Sequence, residues 1–319
     1  ELMNLEANSL LEKIHTDALR VLEEVGVKCV SKEVRQIFED TGLAAFDESS
    51  GHIHVLAPLI EQVLGTAPKR DQYWIPEDSF GVGGTAAFLY DDQTGELVEP
   101  TLEHLARIAT IVNDADVIQF MARGVLIKKQ EVQVMDTIVR HCHKPIYVAA
   151  VTDEGIERAL EIHKTRGNIT IQFSIINSPL NVIESMIDPF LSCVRKGIPI
   201  YVSTMPMAGL SGPYSMSGLV TLTHAEALFG IALAQLANPG ITVVHAGLPS
   251  IANIQKNYAV DLGLKAHNIA NLIQEKVNKQ LDIPSIQTAC TTSQDRPNQV
   301  AEKEAVFSGF RRNKDFEKT

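Results

Sequence analysis

The stretch from Thr204 to Ser250, TMPMAGLSGPYSMSGLVTLTHAEALFGIALAQLANPGITVVHAGLPS, decides how the chain folds. Thr204–Met207 closes the β-branched run Ile198–Val202. The loop after it holds Gly209, Gly212, Pro213 and Gly218, which permit backbone conformations and close approaches that side chains would block. From Ser215 to Ala237 no proline interrupts a mostly apolar segment, long enough for a helix that covers one side of a sheet. Asn238-Pro239-Gly240 stops that helix, and Ile241-Thr242-Val243-Val244-His245 restarts a strand. Both strands are nearly continuous apolar runs, as expected where each face of a parallel sheet is covered. The stretch reads as a βαβ unit with a glycine-rich loop at the carboxyl end of its first strand.

The same alternation extends to either side. Hydrophobic spacing predicts helices over 102–112, 131–141, 155–164 and 182–195, each followed by a strand, over 117–121, 145–151, 169–176 and 198–203. After the central unit a helix over 265–281 and a strand over 283–289 complete the series. Six strands separated by helices, with no dinucleotide fingerprint, favour a TIM-type (β/α)8 barrel over an open sheet. Six strands do not close such a barrel, so the expectation is a barrel incomplete at its C-terminus. Upstream, residues 1–100 read as an N-terminal cap of helices and short strands: helices over 10–25, 32–40 and 58–64, strands over 52–55 and 72–75. Residues 101–307 carry the barrel units, and 308–319 (SGFRRNKDFEKT) read as a charged tail.

Composition limits the functions available. With 319 residues and 45% hydrophobic content the chain buries a large core. A net charge of -11 argues against a nucleic-acid surface. Cys29, Cys142, Cys193 and Cys290 are scattered without paired spacing, which suits a reducing cytoplasm. No run of apolar residues approaches the roughly 18 that suggest a membrane span, and the first fifteen residues form a helix pattern without a signal-peptide core. Gly81-Val82-Gly83-Gly84-Thr85 lacks the Lys-Ser/Thr of a phosphate loop. His141-Cys142-His143 are too close together at a helix end to converge on one ion, so no metal site is expected.

In a parallel α/β fold, chemistry gathers at the carboxyl ends of the strands. Those ends hold Arg123, Thr152, Asn177-Ser178, Thr204-Met205-Pro206-Met207, His245-Ala246-Gly247 and Cys290-Thr291-Thr292. The set is small, neutral and sulfur-bearing, with few carboxylates for acid–base work. It suits a reaction that needs orientation and a dry cavity more than proton transfer. Of the histidines, His245 ends a strand and is a site candidate. His224 and Glu226 are too closely spaced to share a helix face, and His224 reads as a core residue.

Several segments together carry a family resemblance. PMAGLSGPYSMSGLVTLTHAEALFGIALAQLANPG resembles the signature of the trimethylamine methyltransferase family, whose members move methyl groups from methylated amines to a corrinoid protein. IHTDALRVLEEVGV, GGTAAFLYDDQTGELVEPTLEHLARIA, HAGLPS and LKAHNIANLIQEKVNKQLDIPSIQTACTT agree, so the similarity runs in order from about His15 to Thr292. The resemblance also implies a TIM-type barrel. Trimethylamine enzymes of this family carry pyrrolysine in the region matching the last strand-end loop. Here that loop, Thr291-Thr292-Ser293-Gln294-Asp295-Arg296-Pro297, has standard residues only. The chain therefore resembles the non-pyrrolysine branch, which demethylates quaternary amines such as glycine betaine.

The resemblance implies roles for particular residues. Phe88 and Tyr90 lie in a segment near the family's active site and are expected against the methylammonium group, which a ring face attracts by about 0.5–2 kcal/mol. Thr204, Met205, Met207, Thr291 and Thr292 are expected to line the substrate, thioethers being polarizable and adaptable. Arg123, His245 or Arg296 could meet a betaine carboxylate. Asn177 and His245 are the catalytic candidates, and Gly209, Gly212 and Gly247 the residues expected beside the cofactor. That cofactor is a corrinoid carried by a cognate partner protein; a homo-oligomer is compatible with the cap helices. The competing readings are a trimethylamine methyltransferase proper, and a shortened barrel that binds quaternary ammonium without transferring methyl. A Schiff-base aldolase or lyase would need a strand-end lysine, and none occurs.

Overall fold

In the computed structural model, residues 2–310 are described apart from 76–78, 92, 295 and 297. Residues 311–319, most of the expected tail, lie outside the described part. The helices are α1 (Leu2–Arg20), α2 (Lys32–Glu39), α3 (Ala57–Thr66), α4 (Leu102–Asp114), α5 (Glu131–His141), α6 (Asp153–Arg166), α7 (Ile187–Arg195), α8 (Met216–Ala237), α9 (Lys265–Gln280) and α10 (Gln299–Phe310). The short strands between α1 and α3 pair antiparallel, whereas from α4 onward helices alternate with parallel strands, an arrangement compatible with an α/β barrel. The chain divides into two compact units. One comprises the chain up to Arg70, Ser174–Ile187 and everything from Val202; the other comprises Asp71–Phe173 and Asp188–Tyr201.

In the second unit, the strands Gly81–Val82, Phe120–Ala122, Ile146–Val148 and Ile169–Phe173 lie side by side and all parallel. Register pairs Gly81 with Phe120, Tyr147 with Ala122 and Tyr147 with Thr170. Alternation then fixes the faces. Phe173 stacks edge-on against Phe190 of α7, ring centroids 5.5 Å apart, so Ile171 and Phe173 point to the helices. Tyr147 and Thr170 point the other way. The Thr101 side chain caps α4, accepting the N–H of His104, while the His104 ring accepts the N–H of Thr101. Lys144 reaches the other end of that helix and beyond, donating to the carbonyls of Val112, Ala115 and Ile118 at 2.6–2.7 Å.

The first unit is organised around α8. Ser215 caps its start, accepting the N–H of Gly218. Gln235 fixes its exit: Nε2 donates to Ile241 O at 2.7 Å and Oε1 accepts from Gly240 N at 2.9 Å, so Asn238-Pro239-Gly240 turns back at once. The helix packs on α1, α2, α3, α9 and the strand Val243–Gly247. By length and composition α8 could cross a membrane, but 94% of its most apolar window is buried inside protein, which makes it a core helix. Gly230 explains how closely it lies to a strand: a Cβ there would sit 2.6 Å from Val202 Cγ1. Phe38 and Phe229 stack at 4.7 Å between α2 and α8.

Several expected elements take another form. The strand expected over 72–75 is instead the end of a 3₁₀ turn (Arg70–Gln72) followed by bends, with Tyr73 packed on Trp74 at 4.6 Å and its hydroxyl bonded to that of Tyr147. The strand expected over 283–289 reduces to one bridge, Ser285 to His245, where Pro284 O accepts from His245 N at 2.8 Å and Ile286 N donates to His245 O at 3.1 Å. Pro284 has no N–H with which to extend a ladder. The helix expected from Val182 begins only at Ile187. Residues 181–182 are a short strand that pairs antiparallel with Ile176–Asn177 and parallel with Val27–Lys28.

Candidate functional site

In the second unit, Arg123 directly follows the strand Phe120–Ala122. It is half-buried, and burial lowers its pKa while Glu131 opposes the shift. Among the described residues, none hydrogen-bonds the guanidinium or forms an ion pair with it within 4.0 Å. The reason lies with Glu131, the first residue of α5. Its carboxylate is taken up by the next strand-end loop, accepting from Val151 N and Thr152 N at 3.1 Å and from Thr152 Oγ1 at 2.7 Å. Thr152 in turn caps α6 by accepting from Gly155 N at 3.1 Å. A Cβ at 155 would lie 2.2 Å from Glu131 Oε2, so a side chain there would displace that carboxylate. A cation is thus held near a carboxylate that is bonded elsewhere, with its own bonding capacity open for an anionic group.

Phe88 and Tyr90 are 55% and 36% exposed in the same unit. Tyr90 opens a hairpin in which it faces Leu97, closed by Asp91 accepting from Gln93 N, Thr94 N and Thr94 Oγ1. Sequence reading missed Gln172, which is exposed although Ile171 and Phe173 on either side are buried. It lies on the face of its strand that carries Thr170. One inward step below it, Tyr73, Tyr147, Thr170 and Tyr201 form an aromatic and hydroxyl layer: Tyr147 and Tyr201 rings meet edge-on at 5.4 Å, and Tyr73 OH lies 3.5 Å from Thr170 Oγ1. Burial pushes all three tyrosine pKa values up, so these hydroxyls stay protonated. Alternation of an exposed glutamine within an apolar strand was the available signal.

In the first unit, the loop after Thr204 is fixed by one carbonyl. Met207 O accepts from Leu210, Ser211 and Gly212 N at 2.9–3.1 Å, and Met207 N donates to Ser211 Oγ at 3.1 Å. Gly209 adopts φ +80° and donates to Gly212 O. The N–H groups of Gly209, Gly212 and Gly247 are all used internally; Gly209 is exposed and Gly212 half-buried, whereas Gly247 is buried against Thr223 and His245. Met205 is 44% exposed, Met207 half-buried, Thr204 buried. Asn177 is exposed at the tip of its short hairpin. Thr291 Oγ1 donates to Leu262 O at 2.8 Å and Thr292 Oγ1 to Glu304 Oε2 at 2.6 Å, so both hydroxyls are engaged by the protein.

His245 stands apart from these exposed residues. It is fully buried and faces the helices rather than a mouth. Its Nε2 lies 3.2 Å from His224 Nδ1, whose Nε2 lies 3.1 Å from His15 Nδ1. Gln274 Nε2, from α9, approaches His224 Nδ1 at 3.4 Å. Gly247 N donates to His245 Nδ1 at 3.1 Å. Burial lowers the pKa of all three imidazoles, that of His245 to about 3. His224 is thus the hydrogen-bonded core residue its position suggested. Among the described residues, His141 Nδ1 reaches Thr110 Oγ1 alone, at 3.5 Å. Among the described residues no group of three or more His, Cys, Asp or Glu side chains is arranged to hold a metal ion.

Comparison with known proteins gives a consistent picture. The family model described as Trimethylamine methyltransferase (MTTB) matches residues 1–308. Glycine betaine methyltransferase of Desulfitobacterium hafniense (strain Y51) is 24% identical over 279 residues, covering 79% of this chain and 57% of its own. Trimethylamine methyltransferase MttB of Methanosarcina barkeri (strain Fusaro / DSM 804) is 26% identical over 306 residues, covering 85% and 62%. L-carnitine:corrinoid methyltransferase of Eubacterium limosum is 25% identical over 280 residues, covering 77% and 56%. The chain spans between 56% and 62% of the length of these three relatives.

Proposed function

Because the chain belongs to the trimethylamine methyltransferase family, we propose that it takes a methyl group from a quaternary amine bearing a carboxylate, such as glycine betaine, and passes it to a corrinoid held by a partner protein. The observation that carries this reading is Arg123. A half-buried guanidinium without a hydrogen-bond or close ion-pair partner among the described residues, at the carboxyl end of a parallel strand, suits a carboxylate on the substrate. Glycine betaine and carnitine, named for two of the relatives, carry one; trimethylamine does not.

The chemistry asks little proton transfer of the protein. The methyl carbon is the electrophile, the C–N bond breaks with its electron pair staying on nitrogen, and a quaternary ammonium leaves as a neutral tertiary amine. The corrinoid supplies the nucleophile. This chain's residues bind and orient the amine and exclude water. Arg123 grips the carboxylate, and the exposed rings of Phe88 and Tyr90 offer faces to the methylated cation. Within the other unit, taken by itself, Asn177, Met205 and Met207 are the side chains we assign to the reaction, and Gly209 and Gly212 offer a close backbone approach. A buried histidine ladder leaves His245 a supporting role behind the strand. Three buried free cysteines with one exposed suit a cytoplasmic setting.

The test is Arg123→Gln. Charged hydrogen bonds contribute about 1.5–3 kcal/mol, so KM for a betaine should rise about 10- to 100-fold. An Arg123→Gln protein with the wild-type KM for its best betaine would refute the carboxylate contact.

A further inference from the structure

Glu226 lies in the middle of α8 and is fully buried, and its carboxylate is held by donors from two other segments of the same unit. Ser178 Oγ donates to Oε2 at 2.8 Å and Leu180 N to Oε1 at 2.9 Å. Thr204 Oγ1 also donates to Oε2, and Ser178 Oγ and Thr204 Oγ1 lie 3.3 Å apart. Burial pushes the carboxyl pKa up, and the three donors pull it back. A buried carboxylate stabilises a fold poorly compared with an apolar residue of the same size, so its value here lies in what it orders. The two segments it holds lead directly into exposed side chains: Asn177 precedes Ser178, and Met205 follows Thr204.

We propose that Glu226 is a positioning residue that, through Ser178, Leu180 and Thr204, fixes the two strand-end segments presenting Asn177 and Met205 to the substrate. This rests on the methyl-transfer reading above. An ionised carboxylate accepts all three donors at once, which no neutral side chain of its size can do. Glutamine keeps the volume but puts an NH₂ group in place of Oε2, so the Ser178 and Thr204 hydroxyls must turn from donating to accepting and lose the charged acceptor that draws them together. The segments then relax by a fraction of an ångström to an ångström, and a displacement of that order costs an in-line transfer up to about 100-fold.

The experiment uses the full chain with Glu226→Gln, the milder Thr204→Val, and the two combined. Amide exchange is followed at 177–182 and 203–207, together with Tm, kcat and KM for methyl transfer. The expected result is faster exchange at Leu180 and at 203–207, with Tm within a few degrees of wild type. The kcat falls about 10- to 100-fold while KM stays within about threefold, and the double variant is no slower than the slower single one. Fully additive losses in the double variant, or a Glu226→Gln protein with wild-type kcat, would overturn the proposal. If the wild-type chain turns over no methylated amine, the methyl-transfer reading fails, and amide exchange decides the remainder. Unchanged protection at Leu180 overturns the positioning role, and lost protection at both segments upholds it.

Discussion

His224 Nδ1 and His245 Nε2 lie 3.2 Å apart inside the protein, both rings fully buried. Each of the two nitrogens can hold the shared proton, but a third contact decides which does. Gly247 N–H points at His245 Nδ1 from 3.1 Å, a shorter contact than the 3.5 Å from Gln274 Nε2 to His245 Nε2, which assigns Nδ1 as the acceptor and the hydrogen to Nε2. That hydrogen goes to His224 Nδ1, which leaves His224 Nε2 as donor to His15 Nδ1. One backbone N–H thereby sets three tautomers in a row, across α1, α8 and the strand Val243–Gly247.

The tautomers can be read directly. All three imidazoles should show the Nε2–H pattern in ¹⁵N-resolved histidine spectra at neutral pH. A Nδ1–H signature for His245 would mean that the Gly247 contact is not a hydrogen bond.

The same ladder makes stability depend on acid. The folded pKa values are lowered by burial, that of His245 from 6.5 to about 3. Below about 6.5 the unfolded chain gains protons that the folded chain refuses, so this contribution is complete above 6.5 and is lost as pH falls towards 3. Tm should decline between pH 6.5 and 4.5, and less steeply in His245→Gln than in wild type. Equal slopes for the two proteins would show that the ladder does not control acid unfolding.

Gly230→Ala tests the seating of α8. The added methyl would meet Val202 Cγ1 at 2.6 Å and Ile175 Cδ1 at 3.3 Å, forcing the helix away from the strand. The expected cost is about 1–3 kcal/mol by urea unfolding. A change under about 0.5 kcal/mol would mean that the strand and helix adjust freely.

Gln172 offers a test of the exposed inward face. Replacing it by Ala leaves the buried neighbours Ile171 and Phe173 untouched, so Tm should hold. Amine binding, followed by the fluorescence of the single tryptophan Trp74, should weaken about threefold or more, the loss of roughly one hydrogen bond. Wild-type affinity would place substrate away from this face.

How much of this could be read from the sequence differs by interaction range. The helix of the central unit was legible because its signals are local: Ser215 at the start, Asn238-Pro239-Gly240 at the end. Arg123 was legible as the residue after a strand, although the strand itself begins three residues later than spacing suggested. The ladder was not, because His15 and His224 are 209 residues apart and nothing local marks either. Glu226 was passed over for a related reason. It does not share a face with His224; it turns instead to Ser178, Leu180 and Thr204, none of them within twenty residues. Pro284 cut the last expected strand to a single bridge, and Tyr73 docking against Tyr147 kept 72–75 from extending.

The most direct measurement follows a Co(I) corrinoid spectroscopically as it is methylated by the full chain, with glycine betaine, carnitine, proline betaine and trimethylamine as donors. The account predicts turnover with at least one carboxylate-bearing quaternary amine and none with trimethylamine. Turnover with trimethylamine and with none of the betaines would contradict it.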